Sequence, residues 1–183
     1  MGSVSIAGEE RDGTLGLLLG NPVSRSRVLA AKAASLLALT TLGTLMIWGM
    51  GYATPAILAV EVGALDVDAL TFHLFVNTLF YGFLAIAIGA WTGKPSLASG
   101  ISAGVMAVSF FAVGLLPLVD SLADVARIFP WYYLDNGQPL INGIQWGGIA
   151  VLLGGSAIFA GIAYVGVNGR DLRLRSVGGS ILA

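Results

Sequence analysis

Of 183 residues, 56% are hydrophobic and only 10% charged, with a mean hydropathy of +0.87, whereas a soluble domain carries about 25% charged residues. A water-soluble fold has nowhere to bury that much apolar surface. A net charge of −1 offers no basic field for nucleic acid, and the absence of cysteine excludes disulfides, thiolate metal sites and a cysteine nucleophile.

The N-terminal stretch Met1 to Asp12 contains Glu9, Glu10 and Asp12 and has no basic region followed by an apolar core, so it is no signal peptide. Ile6 stands where a myristoylation signal needs Ser or Thr. The segment Glu9 to Arg25 reads as a short helix between two turns. Asp12 or Thr14 can accept from the orphan amides at its start, Leu15, Leu18 and Leu19 share one face, and Gly20-Asn21-Pro22 stops it. By periodicity alone, such a helix is equally an amphipathic helix lying on the bilayer and a helix that docks on a protein. Ser24 is placed to cap the apolar block that follows, whose opening turns carry Arg25, Arg27 and Lys32.

Charge is bunched along the rest of the chain. The stretches between Lys32 and Glu61, His73 and Lys94, Lys94 and Asp120, and Asp135 and Arg170 contain no acidic or basic side chain, and each is at least as long as the roughly 20 residues that cross a bilayer core. Four spans follow. The first covers residues 28–53, with Pro55 ending its helix by removing a donor. An acidic linker with Glu61, Asp66 and Asp68 leads to the second, residues 70–92, which begins with the lone His73 amid Phe72, Phe75, Phe80 and Tyr81.

Gly93-Lys94-Pro95-Ser96 is short enough to force a tight hairpin, with Ser96 placed to cap the third span, residues 97–118. From Val119 to Gln145 acidic residues mix with Phe129-Pro130-Trp131-Tyr132-Tyr133 and the breakers Gly137, Pro139 and Gly143, a pattern of interfacial, amphipathic or re-entrant structure. The fourth span covers residues 146–167, and residues 168–183 form a basic tail with Arg170, Arg173 and Arg175. The fold class is therefore an all-α integral membrane protein, with residues 28–167 as the bundle, 1–27 as a cytoplasmic helical segment and a partly helical outer loop before the last span.

Charge asymmetry orients this bundle independently of hydropathy. One side collects Arg11, Arg25, Arg27, Lys32, Lys94, Arg170, Arg173 and Arg175, the other only Arg127, so both termini are expected in the cytoplasm. No charge lies deep within a span to mark a proton or sodium path, which argues against a proton- or sodium-driven carrier and suits large, amphipathic or lipid-like cargo, with a lipid, peptide, drug or ion all compatible.

Other motifs read blandly. Gly89-Ala90-Trp91-Thr92-Gly93-Lys94-Pro95 is one residue short of a phosphate loop and has Pro95 where Ser or Thr should hold magnesium. His73 has no Glu, Asp or second His at helical spacing, so no metal site is expected and the residue reads as interfacial. The acidic trio Glu61, Asp66 and Asp68 suits equally a cation-gathering patch and a solvated loop. Lys32 and Lys94 sit at cytoplasmic ends, away from any serine nucleophile in the membrane. Ser96, Gly100 and Gly104 put small residues on one face of the third span, where a helix of the bundle or of a second copy could approach closely.

The run Glu10-x-x-Gly13-Thr14-Leu15-x-x-Leu18-Leu19-x-x-Pro22-Val23-Ser24-Arg25, with Lys32 seven residues on, resembles the cytoplasmic coupling loop of type 2 ABC transporter permeases. Phe129 to Tyr133 with Pro139 to Gly143 resembles the outer segment before that family's last span, and Asn168-Gly169-Arg170-Asp171-Leu172 its usual ending. The resemblance implies a permease subunit of an ATP-driven exporter in a prokaryotic cytoplasmic membrane. Glu10, Gly13, Thr14, Leu15, Leu18, Pro22 and Arg25 would dock on a separate cytoplasmic ABC ATPase, which alone would bind ATP and Mg. A second permease copy or homologue and membrane lipid complete the implied partners. The family has six spans, so the first two are expected to be missing from this chain or supplied by another. A non-transporting membrane scaffold with a surface helix is the alternative.

Overall fold

A computed structural model describes residues 24–59, 63 and 65–169. The expected docking residues Glu10, Gly13, Thr14, Leu15, Leu18 and Pro22, the side chain of Arg25, Glu61 and the tail beyond Gly169 lie outside the described residues. Among the described residues four helices are long and apolar enough to cross a bilayer: α1 (Arg25–Leu58), α2 (Val67–Thr92), α3 (Pro95–Leu115, prolonged by a 3₁₀ turn Leu116–Leu118) and α6 (Trp146–Gly169). Between α3 and α6 come a 3₁₀ helix (Asp120–Ile128) and two single turns, α4 (Tyr132–Asp135) and α5 (Pro139–Asn142).

α2 is the axis of the bundle. Half of its most apolar window is buried, against 11% for α1, 17% for α3 and 22% for α6, so the other three pack around it and turn most of their surface to lipid. In a bilayer, burying apolar surface against protein gains little over leaving it in lipid, and association depends on close fit and hydrogen bonds. The seams show how that fit arises. Leu36 of α1 fills the space above Gly82, Phe80 that above Gly155, and Trp91 that above Gly166, each lying where a side chain on the glycine would collide. Trp91 adds a hydrogen bond from its indole N–H to the Ile162 carbonyl, at 2.9 Å. Leu36, Leu79, Ile86 and Ala163 form one core cluster, and Val76, Ile149 and Leu152 a second nearer the outer end.

Three local expectations need correction. Pro55 lies inside α1, whose end comes at Ala59 in the left-handed conformation, with its N–H on the Pro55 carbonyl. The proline removes only one ladder bond, and where lipid leaves unpaired backbone groups unsatisfied, one more helical turn is cheaper than an early loop. Ser24 does occupy the cap position of α1, but its hydroxyl pairs with that of Ser26 and caps no amide. Ser96 is not a cap: Lys94 holds that place and Pro95 opens α3, because Gly93 has already reversed the chain at φ 63°, donating its N–H to the Gly89 carbonyl. A proline at the first helical position needs no N–H there, so the hairpin uses the ring in place of a side-chain cap.

Candidate functional site

The outer end of the bundle is tied together by polar contacts that start from the acidic linker. Asp66 caps α2 through its carboxylate on the Ala69 N–H at 2.8 Å, and its own N–H donates to the Leu140 carbonyl of α5 at 2.8 Å. Gly143, at φ 74° and ψ −160°, ends α5 in a conformation that only glycine adopts readily. Asp68, near the start of α2, accepts from the indole N–H of Trp48 at 2.6 Å and the hydroxyl of Tyr52 at 3.0 Å, both on α1. Of the acidic trio, the two described members thus hold α1 and the outer segment onto the start of α2.

His73 completes the latch. It is fully buried, its Nδ1 is 2.8 Å from the Ala69 carbonyl and the backbone N–H of Gln145 donates to its Nε2 at 3.3 Å. A carbonyl can only accept and an amide can only donate, so this geometry selects the neutral imidazole with the proton on Nδ1. The sequence places His73 near the interface in depth; the fold makes it a buried pin between α2 and the start of α6. Among the described residues, no three His, Asp or Glu side chains come together to hold a metal ion.

From His73 a line of buried polar side chains runs inward at one-turn spacing: Asn77, then Tyr81. Tyr81 directs its hydroxyl at Ser109 of α3, the two oxygens lying just outside strict hydrogen-bond geometry among the described residues. The side-chain oxygens of Asn77 and Ser102 are likewise buried without a partner among the described residues. On the lipid side of this seam lies a groove of about 460 Å³, with α2 as its floor and α1 and α3 as its walls, lined by Leu36, Leu39, Thr40, Tyr81 and Ser102 among others. Sequence reasoning missed these residues. The i, i+4, i+8 spacing of His73, Asn77 and Tyr81 and the seven-residue spacing of Ser102 and Ser109 were the available signals.

The small-residue stripe goes elsewhere. Ser96, Gly100 and Gly104 are exposed, and a side chain built on either glycine would meet nothing within 4 Å. The face of α3 that packs on α2 carries Ala98, Ser102, Ser109 and Val113 instead.

The chain's match to the ABC-2 family transporter proteins extends over residues 1–172. It belongs to that family. The match takes in all four spans, the outer segment and the N-terminal stretch bearing Glu10 to Arg25. ABC-2 proteins are membrane permeases of ABC transporters, so this chain is a multi-pass membrane protein with a transport role rather than a catalytic one. No curated protein and no solved structure matches it.

Proposed function

We propose that this ABC-2 chain is the permease subunit of an ATP-driven exporter, moved by a separate cytoplasmic ATPase that docks on Glu10, Gly13, Thr14, Leu15, Leu18, Pro22 and Arg25. The observation that carries the reading is the family match across the whole of that segment together with the helix it feeds. α1 starts at Arg25 and continues for 34 residues, about 50 Å at the helical rise, which exceeds a bilayer's hydrocarbon thickness. A push on its inner end therefore reaches the Trp48, Tyr52 and Asp68 contacts at the outer end without passing through a flexible joint. From there α2, His73 and Asp66 pass it to the outer segment and α6.

ATP and Mg would act on the ATPase, and a second permease copy or homologue would supply the other half of the pathway. The exposed Ser96, Gly100 and Gly104 face of α3 is free of other described elements and suits such a contact. Charge reversal tests the coupling role. Glu10→Lys or Arg25→Glu should leave membrane insertion intact and ATPase turnover measurable while abolishing cargo transport in reconstituted vesicles. Normal transport by both variants would sink the proposal.

A further inference from the structure

Asp68 carries a charge that its hydrogen bonds do not neutralise. The side chain is exposed, and the bonds it accepts from Trp48 and Tyr52 both arrive on the same oxygen, Oδ1. Indole and phenol are neutral donors, so they orient the carboxylate and leave its charge in place. Among the described residues of the outer end the basic side chain is Arg127, and Asp124 holds it at 3.2 Å. Trp48 lies 23 residues beyond Arg25 on α1, about 35 Å along the helix. That sets Asp68 at the outer edge of a hydrocarbon core about 30 Å thick, where an unneutralised carboxylate attracts a counterion more strongly than it would in open water.

Beside this carboxylate a groove of about 350 Å³ runs between α1 and α2. Asp68 and Trp48 line its outer end; Phe72 and Phe75, about one and two helical turns further into the membrane, line its depth together with Leu45. Asp68 is the one charged side chain in the lining. An anion at the water edge with aromatic rings beneath it suits a cationic head on an apolar body, because ring faces attract cations and also cover hydrocarbon. A metal ion would find too few ligands, since no three His, Asp or Glu side chains come together among the described residues. A zwitterionic lipid would bring a phosphate toward Asp68 along with its amine, a repulsion that a purely cationic amphiphile avoids.

We propose that the groove between the outer halves of α1 and α2 binds an amphipathic organic cation, an alkylamine or quaternary ammonium without phosphate. Its head pairs with Asp68 beside the Trp48 ring, and its apolar body lies along Leu45, Phe72 and Phe75. The volume falls in the usual range for small-ligand sites. Under the permease reading the cation is cargo on its way out. The binding itself needs no ATPase, so it can fail while coupling holds, and the reverse.

Equilibrium dialysis of radiolabelled tetraphenylphosphonium against the chain in uncharged maltoside micelles, with empty micelles as the blank, tests the site. Saturable binding is expected. Asp68→Asn keeps an acceptor for Trp48 and Tyr52 and removes the charge, so it should weaken binding about tenfold, the effect of one charge contact at a wet interface. Asp120→Asn, outside the groove, should leave binding unchanged. Dodecyltrimethylammonium should displace the probe, whereas the uncharged dodecyl ether of octaethylene glycol and phosphatidylcholine should not. Binding no greater than the blank, equal binding by Asp68→Asn, or equal displacement by the uncharged ether would each overturn the proposal. Equal displacement by phosphatidylcholine would overturn it too, by making the groove a lipid-headgroup site. Should Asp68→Asn fold poorly, photolabelling of the unmodified chain with a diazirine-bearing dodecyltrimethylammonium takes its place: adducts within residues 41–48 and 68–75 support the site, and adducts confined to α3 and α6 defeat it.

Discussion

His73 shows how one side chain changes meaning once its neighbours are known. A single histidine beside an acidic linker offers only its depth and its polarity, and both are compatible with an interfacial position. What the linear pattern does not contain is Gln145, 72 residues away, whose N–H reaches the buried imidazole. Replacing His73 with leucine keeps the volume but strands that amide. The expected cost is about 1–2 kcal/mol, the usual range for leaving a buried donor unmet and toward the upper end for membrane proteins. Thermal unfolding in mild detergent, followed by tryptophan fluorescence, reads it; an unchanged midpoint would mean the pin contributes nothing. Asp68 makes the same point, because its partners Trp48 and Tyr52 belong to the preceding helix and cannot be paired with it by spacing alone.

At the scale of elements, the contacts between α2 and α6 depend on which glycine faces the partner. Gly154 and Gly155 are neighbours in an apolar run and look alike in sequence. A methyl group on Gly155 would meet the Phe80 ring at 2.5 Å, while one on Gly154 would meet nothing within 4 Å. Phe80 cannot swing aside easily, since it stacks edge-on against Tyr81 and Phe159. Gly155→Ala should therefore destabilise the bundle by about 1–3 kcal/mol through overpacking, and Gly154→Ala should be neutral or slightly stabilising through helix propensity. Parallel melts of the two variants decide the matter, and equal midpoints would contradict the packing described. The same logic explains why the stripe Ser96, Gly100 and Gly104 was visible in sequence but its partner was not: small residues announce that a helix can come close, never which one does.

At the scale of the whole molecule, orientation is a prediction of charge. Lys94 lies in the hairpin expected inside the cell and Asp124 on the 3₁₀ helix expected outside. With Lys94→Cys and Asp124→Cys as single reporters, a membrane-impermeant maleimide should label position 124 in right-side-out vesicles and position 94 only in inverted ones. The reverse pattern would overturn the positive-inside reading and, with it, the cytoplasmic placement of Glu10 to Arg25.

Much of the architecture was legible because the bilayer imposes it residue by residue. Each span must be long, apolar and internally hydrogen-bonded, so four blocks of uncharged sequence determine four helices, and their flanking charges carry the expected orientation. Composition also determined that this is a membrane protein, and the Glu10 to Arg25 spacing pointed to the ABC-2 permeases before any contact was known. Only the tertiary structure decided that α2 is the axis, that α1 runs through Pro55, that His73 and Asp68 latch the outer end, and that Asn77, Tyr81, Ser102 and Ser109 are buried along the seam between α2 and α3. The reason is physical: hydropathy is a property of single helices against lipid, whereas the fit of Phe80 on Gly155 or Leu36 on Gly82 depends on the rotation and depth of two helices at once, which no periodicity within either one encodes.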